Sequence, residues 1–207
     1  MTITLHGIAA SRTARPLWLL EELGVAYEHV SQSYQGGATR TPQFLALNPN
    51  GHIPVLVDDG IVVWESMATT LYLARKFGGP LAPSNLAEEA EVLRWTFWAV
   101  TECEKDALMV LMHSVAMPAD KRDPVVLARS EGSLARPFAV LDAHLSTRPF
   151  IAADRFTVAD VNVASVLSWA QGARTLLDAN PNLAAWLKGC LARPAQVKVR
   201  QLAKAGR

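Results

Sequence analysis

Cysteine is scarce. Cys103 and Cys190 are the two in the chain, and no CxxC pair occurs. This pattern disfavours a disulfide framework, a zinc cluster or a dithiol redox centre, and it suits a reducing cytoplasm. No long charge-free apolar run is present, so no transmembrane helix is expected. Met1 to His6 carry no basic start and no long apolar stretch, and read as a first strand rather than a signal peptide. Charge of one sign is also missing. The net charge is +1, with acids and bases mixed along the sequence. Nothing resembles the basic footprint of a nucleic-acid binder. There is no internal repeat and no low-complexity tract.

Apolar residues, by contrast, are plentiful. They make up half of the 207 residues, ample for a buried core in one large domain or two ordinary ones. Thr2 to His6 reads as a strand. From about Ser11 the pattern turns helical, with Ala14, Leu17, Leu20 and Leu23 on one face and Glu21 and Glu22 on another. Gly24 is a natural helix stop. Val25 to Val30 reads as a second strand, and Ser31 to Arg40 as a loop. Thr41-Pro42 offers an N-cap followed by a proline at the first helical position, so Thr41 to Leu47 reads as a short helix. Asn48 to Pro54 is dense in turn formers. Pro54 to Val57 and Ile61 to Trp64 read as a hairpin joined by Asp58-Asp59-Gly60. Ser66 to Phe77 is helical, with Met67, Leu71 and Ala74 on one face.

Gly78-Gly79-Pro80-Leu81-Ala82-Pro83 breaks the pattern and reads as the link between two domains. Beyond it no strand-like alternation survives. Ala87 to about Met117 is one long apolar-periodic segment. Asp123-Pro124 and Asn180-Pro181 open further helices, and Ala195 to Lys204 is the last. In Phe156-Thr157-Val158-Ala159-Asp160-Val161, Thr157 and Asp160 form a capping box, and Phe156 with Val161 a hydrophobic staple. The fold class is thus an α/β domain ordered β-α-β-α-β-β-α over residues 1–79, then an all-helical domain over 87–207, with 80–86 between.

Three stretches resemble the cytosolic glutathione transferases. They are Ser11-Arg12 leading into Leu17 to Gly24; Asn48-Pro49-Asn50-Gly51-His52-Ile53-Pro54-Val55-Leu56 followed by Trp64-Glu65-Ser66; and Phe156 to Asp160. The resemblance covers nearly the whole chain. It implies a thioredoxin-like first domain that binds glutathione as cosubstrate, with no metal. It further implies a helical bundle that supplies the pocket for a small-molecule electrophile, and a homodimer.

The resemblance also assigns residues, each beside a plainer reading. Glutathione's γ-glutamyl head carries one ammonium and one carboxylate. Glu65 suits the ammonium, and Ser66 at a helix start suits the carboxylate; alternatively Glu65 is a solvated acid and Ser66 only an N-cap. Ile53-Pro54 resembles the family's cis-proline turn, which would offer the Ile53 backbone to the cysteinyl part in strand-like pairing. The alternative is a trans proline opening a strand. His52 would contact the glycyl end, where many relatives have a longer basic or amide side chain; otherwise it is a solvated residue.

Ser11 is the catalytic candidate. The attacking species is glutathione's thiolate, and a hydroxyl hydrogen bond to sulfur lowers the thiol pKa. The strand ends in His6, not tyrosine, and position 11 is not cysteine, so the chain is similar to the serine-type, bacterial-type members. Against this, Ser11 is a helix cap. Arg12 would stabilise the thiolate or is a surface charge. Trp98, Thr101, Glu102 and Lys105 share a helical face bordering the electrophile's pocket, and Trp169 closes it; tryptophan otherwise packs in cores, the reading preferred for Trp95. Cys103, Cys190, His113 and His144 read as structural or surface residues. Ala153 stands where the family often has glycine, and costs about 1 kcal/mol if that site needs positive φ. Peroxide reduction, dehalogenation, isomerisation and non-catalytic glutathione binding remain open on the same site.

Overall fold

The computed structural model describes residues 3–206; Met1, Thr2 and Arg207 lie outside the described residues, and with them the Thr2 start expected for the first strand and the outermost residues of the two expected domains. The chain divides into two compact units. One comprises the described residues up to Ala82 together with 193–206; the other is Pro83–Ala192.

The first unit runs β1 (Ile3–His6), α1 (Ala14–Leu23), β2 (Glu28–Val30), α2 (Pro42–Leu47), β3 (Val55–Asp58), β4 (Ile61–Trp64) and α3 (Ser66–Phe77), the order expected from the sequence. The four strands form one sheet in the order β2-β1-β3-β4. β1 pairs parallel with β2, Leu5 opposite His29, and antiparallel with β3, Leu5 opposite Leu56. Leu5 and Leu56 are fully buried, as are Leu17, Trp18, Leu19 and Leu20 of α1. Gly24 ends α1 at φ 65°, a left-handed cap that only glycine adopts without strain. Thr41 caps α2 by accepting from Phe44 N–H, with Pro42 at the first position.

Three expectations need correction here. α1 starts at Ala14 with Thr13 as its N-cap, not at Ser11. The buried face of α3 is Ser66, Thr69, Thr70, Leu73 and Ala74, offset from the expected Met67, Leu71 and Ala74. Threonine can face inward because its hydroxyl is satisfied locally: Thr69 donates to Glu65 O at 3.0 Å and Thr70 to Met67 O at 2.8 Å. Ala153 is not among the residues at positive φ, which outside glycine are Asp59 and Glu65, so the conditional cost does not arise.

The last helix, α10 (Pro194–Ala205), belongs to the first unit and packs on α1. Arg193 makes a two-pronged contact with Glu22 at 2.6 and 2.7 Å, and Lys198 donates to Glu21 at 2.7 Å. The acidic face of α1 is therefore covered by a basic helix contributed from the far end of the chain.

The second unit contains no strand among its described residues. Its long opening segment is α4 (Leu86–Trp98), a π-helical stretch over Ala99–Cys103, α5 (Glu104–Leu111) and a second π-helical stretch over Met112–Ala116. Then come α6 (Pro124–Leu145), α7 (Val158–Leu167), α8 (Arg174–Asp178) and α9 (Pro181–Leu191). Every residue of α7 is buried. Packing on all sides holds this helix, and its start is fixed as well. Thr157 N–H donates to Asp160 Oδ2 at 2.9 Å, completing the expected capping box. Asp160 Oδ1 also accepts from Ile151 N–H at 3.1 Å and Trp186 Nε1 at 2.9 Å. Phe156 and Val161, the expected staple pair, are both buried. Asp123 caps α6 by accepting from Val125 N–H at 2.8 Å. Asn180 precedes α9 but turns its amide back to Leu176 O instead of capping. Among the described residues no helix is long and apolar enough to cross a membrane.

Candidate active site

β1 and α1 are joined by a tight passage through Gly7. Its φ is 137°, and a Cβ there would lie 2.1 Å from Thr13 Oγ1 and 3.1 Å from Ile53 Cβ. Absence of a side chain at Gly7 therefore lets the strand end, the helix start and the Ile53 turn meet. Ser11 lies half-buried in the turn before α1. Its Oγ donates to Ile8 O at 2.7 Å or Thr13 Oγ1 at 3.0 Å, and accepts from Thr13 N–H at 3.1 Å. A hydroxyl has one proton. Turning that proton toward a sulfur would require rotation away from these oxygens. Arg12 beside it is exposed. His6, at the strand end, sits edge-on to Phe44, and burial pushes its pKa below the ordinary value, favouring the neutral ring.

The Ile53-Pro54 peptide is cis. Asn48, buried, organises the turn before it: its amide donates to His52 O at 2.8 Å and its Oδ1 accepts from Asn50 N–H at 3.0 Å. Gly51 has φ 61°, and a Cβ on it would lie 2.7 Å from Arg40 Nη1. Arg40 donates to Asn50 O at 3.2 Å. The structure thus brings a cation to the turn that carries His52, which is exposed. Arg40 came from a stretch read as loop, and no local signal tied it to residues ten positions on.

Glu65 and Ser66 lie where β4 turns into α3. Glu65 has φ 72°, a left-handed value uncommon for a side-chain-bearing residue and typical of functional turns. Glu65 is the N-cap residue of α3, and its side chain makes no capping bond; Ser66 is the first helical residue. The first helical bond is Thr69 N–H to Glu65 O, so the N–H groups of residues 66–68 stand at the positive end of the helix. Ser66 Oγ accepts from Arg15 Nη1 at 2.9 Å, and both side chains are buried. The sequence reading missed Arg15, an isolated cation among the apolar positions of α1.

In the helical unit, Trp98, Thr101 and Glu102 line an open groove of about 430 Å³ with Arg94, Arg136, Pro137 and Val140. Lys105 and Trp169 are not among its lining residues. The sequence spacing that put Lys105 on the same face assumes a regular α-helix. The π-helical stretch over Ala99–Cys103 bonds i to i+5 and changes that phase. Trp95 is buried, edge-on to Trp98 with centroids 5.0 Å apart, as a core residue. Cys103 and Cys190 are buried free thiols, and burial pushes the Cys103 thiol pKa up, away from reactivity. His113 accepts from Asp123 N–H at 2.9 Å, and His144 contacts Ile151 O at 2.8 Å. Among the described residues no group of three or more His, Cys, Asp or Glu is placed to hold a metal ion.

Comparison with known proteins agrees with this arrangement over both units. Residues 1–75 match the family model "Glutathione S-transferase, N-terminal domain" and residues 124–189 "Glutathione S-transferase, C-terminal domain". The chain is 33% identical over 201 residues to glutathione S-transferase GstB of Escherichia coli strain K12, covering 95% of this chain and 97% of that protein. It is 31% identical to glutathione S-transferase 4 of Zea mays, covering 99% and 94%. Among solved structures it is similar to the theta class glutathione S-transferase of Xanthomonas axonopodis pv. citri with glutathione bound: TM-score 0.84, 31% identity, 95% of each chain covered. It is also similar to glutathione S-transferase-I bound with lactoylglutathione: TM-score 0.87, 30% identity, 97% and 99% covered. The chain belongs to the glutathione S-transferase family.

Proposed function

We propose that the protein conjugates glutathione to an electrophilic small molecule and that Ser11 activates the thiol. The observation that carries this reading is the convergence in the first unit. Gly7 admits Thr13 and Ile53 side by side, and Arg15, two residues beyond Thr13, reaches Ser66. These contacts support a single site bordered by the Ser11 turn, the cis-proline turn and the Glu65-Ser66 helix entry. Glutathione fits it in an extended pose. Its γ-glutamyl carboxylate would take Ser66 and the α3 N–H groups, its ammonium Glu65, its cysteinyl backbone Ile53 before Pro54, and its glycyl end His52. The thiol would then lie toward Ser11 and Arg12. Loss of the thiol proton gives the thiolate, which forms a carbon–sulfur bond to the electrophile and expels its leaving group or opens its ring.

The electrophile is assigned to the helical unit, with Trp98, Thr101, Glu102, Lys105 and Trp169 as candidate contacts. The protein is taken to act in the cytoplasm as a homodimer, the first domain of one subunit against the helical domain of the other. Exposed apolar residues support the pairing: Ile61, Val62 and Trp64 on β4, and Leu93, Phe97 and Val100 on the helical unit. Closed two-fold dimers are the commonest soluble oligomers. A monomer mass by light scattering at micromolar protein would refute it.

The test of activity is glutathione-dependent turnover across aryl halides, epoxides, enals and organic hydroperoxides. Conjugate formation with at least one of the first three is expected. Turnover of hydroperoxides alone would replace conjugation by peroxidase chemistry. Binding of glutathione without any turnover would make this a non-catalytic binding protein.

A further inference from the structure

Glycine leaves its own peptide planes free to turn. Gly7 stands where β1 passes into the turn before α1, at φ 137°, so groups outside the residue must fix it. β2 supplies two of them. Gly7 N–H donates to Val30 O at 2.9 Å. The carbonyl on the other side of Gly7 meets the His29 ring, with Nε2 and Gly7 O 2.7 Å apart. A carbonyl oxygen can only accept, so His29 Nε2 carries a proton and donates it; a neutral ring is then the Nε2–H tautomer. β2 pairs parallel with β1, Leu5 opposite His29 and His6 opposite Val30. The register ends at His6, and the half-buried His29 side chain carries the hold beyond it to the Gly7 carbonyl.

Both acceptors of the Ser11 proton are built on that passage. Ile8, the next residue, offers its carbonyl to Ser11 Oγ at 2.7 Å. Thr13 lies so close that a Cβ on Gly7 would be 2.1 Å from its Oγ1, and that Oγ1 is the other acceptor, at 3.0 Å. Thr13 N–H in turn donates to Ser11 Oγ at 3.1 Å. If the Gly7–Ile8 peptide turned, the Ile8 carbonyl would move with it and the Thr13 contact would open.

We propose that His29 is a positioning residue for Ser11: by holding the Gly7 carbonyl it fixes the turn that aims the Ser11 hydroxyl at the thiol of glutathione. The inference rests on the reading of Ser11 as the thiol activator and deepens it by one residue. His29 need not touch the ligand. Its part is to keep a glycine-containing turn in one conformation, so that the Ser11 proton has only a short rotation to make from its resting acceptors to the sulfur.

The experiment reads three quantities in the full-length protein. They are the ultraviolet absorbance of the thiolate of bound glutathione against pH, calorimetric glutathione affinity, and kcat with the best electrophile among the aryl halides, epoxides and enals. His29→Met has a chain of similar reach and no donor. His29→Gln can return an amide N–H to the place of the ring Nε2–H. His29→Met should raise the pKa of the bound thiol and lower kcat by about tenfold, less than loss of the Ser11 donor itself, with affinity changed by less than about twofold. His29→Gln should restore both titration and kcat toward wild type. In the Ser11→Ala background His29→Met should move the titration no further, because the two act as one unit. His29→Phe, a ring without the donor, decides the matter if His29→Met does not fold. A thiol titration coincident with wild type would overturn the proposal, as would equal falls in kcat and affinity, a Gln variant as impaired as the Met variant, or an undiminished effect in the Ser11→Ala background. If Ser11→Ala itself leaves the titration unmoved, the reading of Ser11 as thiol activator fails, and this inference with it.

Discussion

Ser11 and Ser66 occupy similar places in the first unit. Each follows a strand and leads into a helix, and each lies at a candidate contact to glutathione. Their hydroxyls are used in opposite ways. Ser66 is buried and accepts from a guanidinium, which leaves its proton free for an outside acceptor. Ser11 is half-buried and engaged with its own turn, through Ile8 O, Thr13 Oγ1 and Thr13 N–H. The first arrangement is preset for an anion that is present whenever the ligand is bound. The second is a resting arrangement that would change only when a charged sulfur offers a better acceptor. On the proposed reading, ground-state binding is assigned to α3 and charge stabilisation during reaction to the start of α1.

The largest effect should come from Ser11→Ala. Loss of one preorganised donor to a developing or reactive anion costs about 10²-fold in turnover. Glutathione affinity should fall far less, because the contacts at Ser66, Glu65 and Ile53 remain. Steady-state kcat and a direct binding constant separate the two. A drop in affinity as large as the drop in kcat would erase the difference between the serines.

Glu65→Ala should do the reverse. It strands the γ-glutamyl ammonium, and a lost charged hydrogen bond is worth about 1.5–3 kcal/mol, or about 10- to 100-fold in affinity. Calorimetry reads it, and unchanged affinity would remove Glu65 from the site.

A pure cap supplies the control. Thr157 accepts from Ala159 N–H and, through its own N–H, is held by Asp160. Thr157→Ala should lower stability by about 1–2 kcal/mol in denaturant titration. It should leave the titration of bound glutathione unmoved. If it altered that titration as Ser11→Ala does, the catalytic reading of Ser11 would lose its distinguishing mark.

The smallest effect concerns acid. Arg155 grips the Glu88 carboxylate at 3.0 and 2.7 Å, and with Ser84 N–H it holds the Glu88 pKa down to about 2. A carboxyl depressed in the folded state stabilises above its unfolded pKa and loses that contribution as pH falls toward about 2. Glu88→Gln should therefore flatten the loss of stability between about pH 4.5 and 2 and leave behaviour near pH 7 similar. Parallel acid-unfolding curves for variant and wild type would contradict this. A pH effect on activity near neutrality would then not come from this ion pair.

Much of this was legible before the structure. Glycine and proline punctuation marked the helix and strand order, because those residues constrain the backbone locally. The Thr157–Asp160 box was legible because its partners are three residues apart. What stayed hidden depends on residues distant in sequence. Arg15 acquires meaning only when Ser66 is brought to it, and Arg40 only when Gly51 clears space for it. Lys105 does not line the groove that Trp98, Thr101 and Glu102 line, because a π-helical stretch, which no residue type announces, shifts the helical phase after Trp98. The inward threonines of α3 defied an apolar-face count because their hydroxyls are satisfied within the helix itself.

The division of labour between the two serines is tested most directly by the ultraviolet absorbance of the thiolate of bound glutathione, followed against pH in wild type and in Ser11→Ala. The thiol pKa of bound glutathione should be higher in the variant, so that less thiolate is present at pH 7 and part of the lost rate returns as pH rises. Coincident titration curves would contradict the account: Ser11 would be only a turn residue, and Arg12 or the backbone N–H groups at the start of α1 would be left to activate the sulfur.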